Sequence, residues 1–204
     1  MNLHEIYQQF QGDLQQTTWL EFIAVLCGIA SVAFSRMENI LVYPVGMINT
    51  GIYIYLYITH GLYADASVNF YYTVMSIAGW IIWSRKKDGH AALVITRSNA
   101  KDWQAALLFF VTCWIVLWVV LKKLTDSSVP QMDAFTSAAA FTGMWLMNKK
   151  KLENWTWWIL TDLASIPLNF YKHLVFTSFQ YLVFLILAIL GYISWKKKIA
   201  HGRP

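Results

Sequence analysis

Asp162 is the residue of this 204-residue chain whose position most demands a chemical explanation. It sits in an apolar run, about 10 Å of helix rise beyond Trp155, where an ionised carboxyl is costly without a partner, water or a bound cation. Trp155, Trp158, Asp162, Ser165, Asn169 and Lys172 recur at steps of three and four, so a helix carries all six on one stripe. Tryptophans beside a carboxyl suit a flat ring or a cation. A second role for Asp162 remains open at this level: satisfaction on neighbouring hydroxyls, or a protomer contact.

Weaker stripes occur in other apolar runs. Asp65, Asn69, Tyr72, Ser76 and Trp83 share one face, and Gly46, Asn49, Tyr53 and Tyr57 share another. Trp145 and Asn148 follow the small run Ser137 to Ala140, which suits close helix approach. Trp19, Trp83, Trp103, Trp157 and Trp195 fit an interfacial belt, whereas Trp158, Tyr53, Tyr72 and Trp145 lie deeper or on polar stripes. The expected site is therefore aromatic, with amide and carboxyl groups, suited to a small planar solute. Pro167 reads as a kink.

What must position these groups follows from composition. With 57% hydrophobic, 17% aromatic and only 13% charged residues, the chain has more apolar surface than a soluble domain of this length can bury. Seven runs approach the roughly 20 residues needed to cross hydrocarbon as a helix: Trp19 to Ser35, Ile40 to Thr59, Ala66 to Trp83, Ala105 to Leu121, Ala134 to Met147, Trp155 to Phe170 and Phe179 to Trp195. The fifth has a short core and spans only if Met132 and the turn before Lys149 are included. No run shows the alternation of a β-barrel strand. The polar first eighteen residues lack a signal peptide's features, so the first span is expected to remain in the mature protein. The fold class is an all-α integral membrane protein of seven transmembrane helices.

Seven spans place thirteen of the sixteen Lys and Arg residues on one side, leaving Lys122, Lys123 and Lys172 on the other. The positive-inside rule then sets the N-terminus outside and the C-terminus in the cytoplasm, and the +5 net charge becomes a topology signal needing no nucleic-acid partner. Internal similarity divides the spans further. Glu38-Asn39 matches Glu153-Asn154 at an offset of 115, His60 matches His173 at 113, and Gly79 with Trp83 matches Gly191 with Trp195 at 112. Three spans, a linker and three more make a 3+1+3 plan of parallel repeats, as in SWEET-type carriers. The expected divisions are an extracytoplasmic segment (1–18), a first three-helix repeat (19–87), a linker helix (103–124), a second repeat (131–198) and a cytoplasmic tail (199–204).

The segment Leu146 to Ile159, with its Trp155-x-x-Trp158 pair, resembles the signature of the PnuC vitamin transporters, bacterial carriers of nicotinamide riboside. Gly61-Leu-Tyr63-Ala-Asp65 and the Gly79-Trp80 element ending in Trp83 resemble that family too, so the likeness covers nearly all of 19–198. It implies a homotrimer in the bacterial inner membrane and facilitated diffusion of a nucleoside that a cytoplasmic kinase then traps. On this resemblance Trp155 and Trp158 position the ring. Asn49, Asn69, Tyr72, Trp145, Asn148, Asp162 and Asn169 are the lining positions, most of them from the stripes. Relatives in the same family carry thiamine or riboflavin, and Asp162 suits the thiamine cation equally.

Other classes fare worse. There is no Gly-x-Ser-x-Gly elbow and no His-Glu-x-x-His pair, so no catalytic residue, metal or cofactor is expected. His60 and His173 fall at span ends, and Cys27 and Cys113 read as small apolar residues inside spans. A retinal protein needs a lysine deep in its last span, and Phe179 to Trp195 has none. A non-transporting seven-helix receptor remains the alternative.

Overall fold

The computed structural model describes residues 3–16, 18–87, 90–91, 93–125 and 127–201, and the end of the expected tail, 202–204, lies outside them. Among the described residues there are eight helices: α1 (Leu3–Gln16), α2 (Trp19–Met37), α3 (Val42–Thr59), α4 (Tyr63–Ser84), α5 (Ala100–Leu124), α6 (Pro130–Asn148), α7 (Asn154–Tyr171) and α8 (Val175–Ala200). A two-stranded antiparallel hairpin, β1 (Lys86–Lys87) with β2 (His90–Ala91), follows α4. Each of the seven apolar runs falls almost entirely within one helix, α2 to α8. The first eighteen residues were expected only as a polar segment, and they contribute α1, whose Phe10 packs against Phe176 and Phe179 of α8.

Local chemistry sets several helix starts. Thr18 and Glu21 form a reciprocal capping box at α2, as Asn99 and Asp102 do at α5. Pro130 opens α6, where its missing N–H costs nothing. By length and composition three helices are apolar enough to cross a membrane: Trp19–Met37, Ala100–Leu124 and Val175–Ala200. The others carry Tyr, Trp, Asn and Thr, which lowers their hydropathy. α6, the weakest run by sequence, is the most thoroughly buried helix, with Ala134, Ala138, Ala139, Thr142 and Leu146 all enclosed. It needs little apolar surface because α4, α5 and α7 cover it. α5 is the reverse: Leu108, Val111, Ile115 and Val119 stand exposed on an apolar face, as expected where the solvent is lipid.

Several helix boundaries recur at one spacing. Val42 and Asn154 open α3 and α7, Thr59 and Tyr171 close them, and Tyr63 and Val175 open α4 and α8. All are 112 residues apart, the separation also of Glu38 and Lys150, which touch. The positive-φ residues repeat it as well: Glu38 with Lys150, and Gly61 with His173. The drifting offsets of 115 and 113 suggested by Glu153-Asn154 and His60 are therefore replaced by 112. In the folded chain Lys150, not Glu153, is the counterpart of Glu38.

A core of Val42, Tyr43, Trp83, Met144, Met147, Leu152, Trp155, Ala188 and Trp195 joins α3, α4 and α6 to α8 near the Glu38 end. A second core of Ala106, Phe110, Ala138, Ala139, Leu146 and Trp157 holds α5 to α6 and α7. Trp83, Trp157 and Trp195, which fit an interfacial belt by sequence, are thus packed inside protein.

Candidate functional site

α7 carries the expected stripe inward. Trp155, Asp162 and Ser165 are all at most 3% exposed. The Asp162 carboxyl makes no hydrogen bond or ion pair with any described residue. Tyr72 from α4 and Tyr181 from α8 lie within electrostatic reach of it, and Tyr181 also interacts with Ser165. Burying a carboxylate unpaired in a low-dielectric interior is strongly unfavourable, so this position is incomplete until a cation or proton joins it.

The repeat supplies an internal comparison. Asp162 corresponds to Thr50 on α3, and the Thr50 and Thr73 hydroxyls share a hydrogen bond of 2.8 Å. Thr73 corresponds to Leu185, which has no polar side-chain atom. At the 112-residue spacing, the hydroxyl pair Thr50–Thr73 therefore has a carboxyl and an apolar side chain as its counterparts. The two tryptophans divide in the same way. Trp155 corresponds to Tyr43, and both are packed against a glycine of the neighbouring helix. A Cβ on Gly191 would lie 2.6 Å from the Trp155 ring, and one on Gly79 would lie 2.3 Å from the Tyr43 ring. Trp155 also meets Trp195 edge-on, with centroids 5.6 Å apart. Trp158 instead corresponds to Gly46, is only partly buried, and has Gly143 beneath it with 3.2 Å to a notional Cβ. Where the halves agree the side chain packs, and where they differ, at Trp158 and Asp162 one helical turn apart, the second half has gained an aromatic face and a carboxyl.

The remaining expected positions separate. Tyr72 lies by Asp162 and meets Phe141 edge-on at 5.6 Å. Asn148 is 2% exposed and already satisfied: it accepts from the Tyr43 hydroxyl at 3.1 Å and donates to the Met75 carbonyl at 2.8 Å. That makes it a tie from α6 to α3 and α4. Asn49 donates to the Ala24 carbonyl at 2.6 Å and joins α3 to α2. Asn69 and Asn169 each donate to a carbonyl one turn back on their own helices, Asp65 and Ser165. Trp145 faces α5, stacked on Phe109 at 5.4 Å with the Lys149 ammonium 3.9 Å from its ring. Tyr72 is thus within electrostatic reach of Asp162, and Trp145 lies on a different surface, against α5. Tyr181 was not singled out by sequence. It is the counterpart of Asn69, so the 112-residue spacing, had it been clear, would have flagged it.

Comparison with known proteins agrees with this architecture. Residues 18–197 match the family described as nicotinamide mononucleotide transporter. The chain belongs to that family. Relatives include the nicotinamide riboside transporter PnuC of Escherichia coli, 23% identical with 87% of this chain and 85% of the relative covered. The protein of the same name from Neisseria mucosa is 25% identical, with coverage of 89% and 73%. The riboflavin/roseoflavin transporter RibM of Streptomyces davaonensis is 23% identical, with coverage of 89% and 86%. Among solved structures, the crystal structure of the vitamin B3 transporter PnuC superposes with a TM-score of 0.73 at 22% identity, covering 98% of this chain and 90% of that one. As a member of the nicotinamide mononucleotide transporter family the chain is a multi-pass membrane protein, all-helical and built for solute transfer.

Proposed function

We propose that this chain takes up nicotinamide riboside by facilitated diffusion, and that phosphorylation in the cytoplasm retains the product. The observation that carries the substrate is the enclosed Asp162, without a hydrogen-bond or ion-pair partner among the described residues, within electrostatic reach of Tyr72 and Tyr181 and one turn from Trp158. A nicotinamide ring bound to ribose is flat and cationic, so it offers a stacking face to the aromatics and a charge to the carboxylate. The curated relatives named for nicotinamide riboside support the same choice. In this reading Trp158, Asp162 and Tyr72 touch the solute, and Trp155 sets the pose of α7 from the core. Asn49, Asn69, Asn148 and Asn169 line or brace the path, and Trp145 contributes through α6.

The arrangement proposed is seven spanning helices in a 3+1+3 plan, α2–α4 and α6–α8 flanking α5, with the N-terminus outside and the C-terminus in the cytoplasm. The helix boundaries that repeat at 112 residues support it, as does the gathering of Lys150, Lys151 and Lys198 at one end, where they pair with Glu38 and Asp102. The exposed apolar face of α5 suits lipid and the neighbours of a homotrimer.

Riboflavin or thiamine is the second reading, riboflavin being favoured by the resemblance to RibM at 23% identity. Purified protein in liposomes, offered labelled nicotinamide riboside, thiamine and riboflavin without ATP or an ion gradient, separates these. Saturable uptake of nicotinamide riboside is expected. Preference for riboflavin would transfer the assignment to a flavin carrier, and uptake of none would leave a receptor.

A further inference from the structure

Residues that occupy equivalent positions in the two halves meet one another at one end of the molecule. Ser35 donates to the Met147 sulfur at 3.2 Å, and Lys150 donates to Glu38 at 2.7 Å, both pairs being 112 residues apart. Trp83 and Trp195, separated by the same spacing, lie 6.3 Å apart between centroids. Equivalent residues can touch only where the axis relating the halves passes between them, so these three pairs mark that axis.

The pairs are also unusually well enclosed. Lys150 is 4% exposed, with its ammonium 4.6 Å from the Trp83 ring centroid, and Lys198 adds a second bond to Glu38 at 2.9 Å. The Trp195 indole donates to the Ser35 carbonyl at 3.1 Å. From outside, the chain between the hairpin and α5 pins the same loop. Thr96 exchanges backbone bonds with Lys150 and Leu152, and the Ser98 amide donates to the Glu153 carboxylate at 2.7 Å. Glu38 and Lys150 both hold positive φ, 63° and 49°, where glycine would sit without strain. At the other end Gly61 and His173 hold the same conformation, with φ 75° and 59°.

We infer that Glu38, Lys150 and Lys198 form a latch on the internal axis that closes this end of the transport path and must break for solute to leave there. The inference rests on the transport reading, because alternating access in repeat-built carriers comes from rocking one half against the other about a fixed site. Contacts on the axis are then the ones a rocking motion separates most directly. Asp162, Tyr72 and Tyr181 lie deeper along their helices than the latch, so closure here seals the site from that end.

Accessibility measures this without uptake, so the latch and the transport assignment can fail separately. In a full-length background lacking Cys27 and Cys113, Ser35→Cys reports the space beneath the latch, and Ser178→Cys reports buried packing between α7 and α8 away from it. Labelling of detergent-purified protein by a polar maleimide is expected to be slow at both positions. Glu38→Gln and Lys150→Met should speed labelling at position 35 by tenfold or more and leave position 178 unchanged. Lys150→Arg should stay slow, and the milder Lys198→Met should fall between. Unchanged labelling at 35 in Glu38→Gln, or equal acceleration at both positions, overturns the latch. Should Lys150→Met fail to fold, Glu38→Gln and Lys198→Met carry the same test.

Discussion

Replacing Asp162 with Asn removes a charge while keeping nearly the same volume. Asp162 is 3% exposed and has no cation beside it among the described residues, so the bound pyridinium is its counter-ion in the proposed complex. Two unit charges about 5 Å apart at an effective dielectric of about 20 attract by roughly 3 kcal/mol. That corresponds to a loss of about a hundredfold in affinity for the cation. The control is the dihydro form of the same riboside, which has almost the same shape and a neutral ring. Binding of both ligands to the purified protein, measured by calorimetry and by competition for uptake in liposomes, gives the discrimination directly. The native chain should prefer the cation strongly, and Asp162→Asn should bind the two within a few-fold of each other. A variant that weakens both ligands equally would mean that Asp162 shapes the pocket without reading charge. A variant that keeps full preference for the cation would refute the assignment.

Three further outcomes follow from the same geometry. Gly191→Ala and Gly79→Ala place a Cβ 2.6 Å and 2.3 Å from enclosed aromatic rings; each should lower stability by about 1–3 kcal/mol through overpacking, read as a lower melting temperature in detergent. Gly51→Ala meets nothing within 4 Å and should raise it, by up to about 1 kcal/mol, because alanine is the better helix residue. Trp158→Ala should weaken nicotinamide riboside binding by roughly tenfold, the scale of one cation–π or stacking contact, while Trp145→Phe, on the α5 side, should leave the dissociation constant unchanged. Burial alone would raise the Glu38 carboxyl, but bonds from Lys150 and Lys198 outweigh it and hold the group below the ordinary 4.5. A depressed folded value means that the ion pairs' contribution is fully present above pH 4.5 and is lost as pH falls through the folded value. With a pyridyl disulfide, which still reacts with thiols in acid, the ratio of labelling at position 35 to that at position 178 should therefore be constant from about pH 8 to 5.5 and rise only below pH 4.5.

The α7 stripe was legible because a helical face is a property of spacing, and Asp162 stood out because a carboxyl in hydrocarbon is costly whatever surrounds it. The seven apolar runs were legible for a similar reason, since composition and length set the solvent a helix tolerates. α1 was legible as well, because Leu3, Ile6, Tyr7, Phe10 and Leu14 recur at helical spacing; its polar composition hid that face, and α8 supplies the apolar contact. Trp145 and Asn148 share a helical pattern with the other expected lining positions, but a stripe does not say which neighbour it faces. α5 takes the tryptophan, and Tyr43 with the Met75 carbonyl takes the amide.

The repeat marks the boundary between the two kinds of information. The sequence by itself determined that the chain is a helical membrane protein with a carboxyl-bearing aromatic stripe, because hydrophobicity, helical period and the cost of burying charge act within a single segment. Only the tertiary structure fixed the 112-residue register, since aromatic helices match one another nearly as well a few residues out of step, and packing tolerates one alignment. Tertiary packing also seats Trp155 and Tyr43 each against a glycine of the next helix and brings Glu38 to Lys150. Those are relations between distant segments, and close packing in three dimensions is what selects among them.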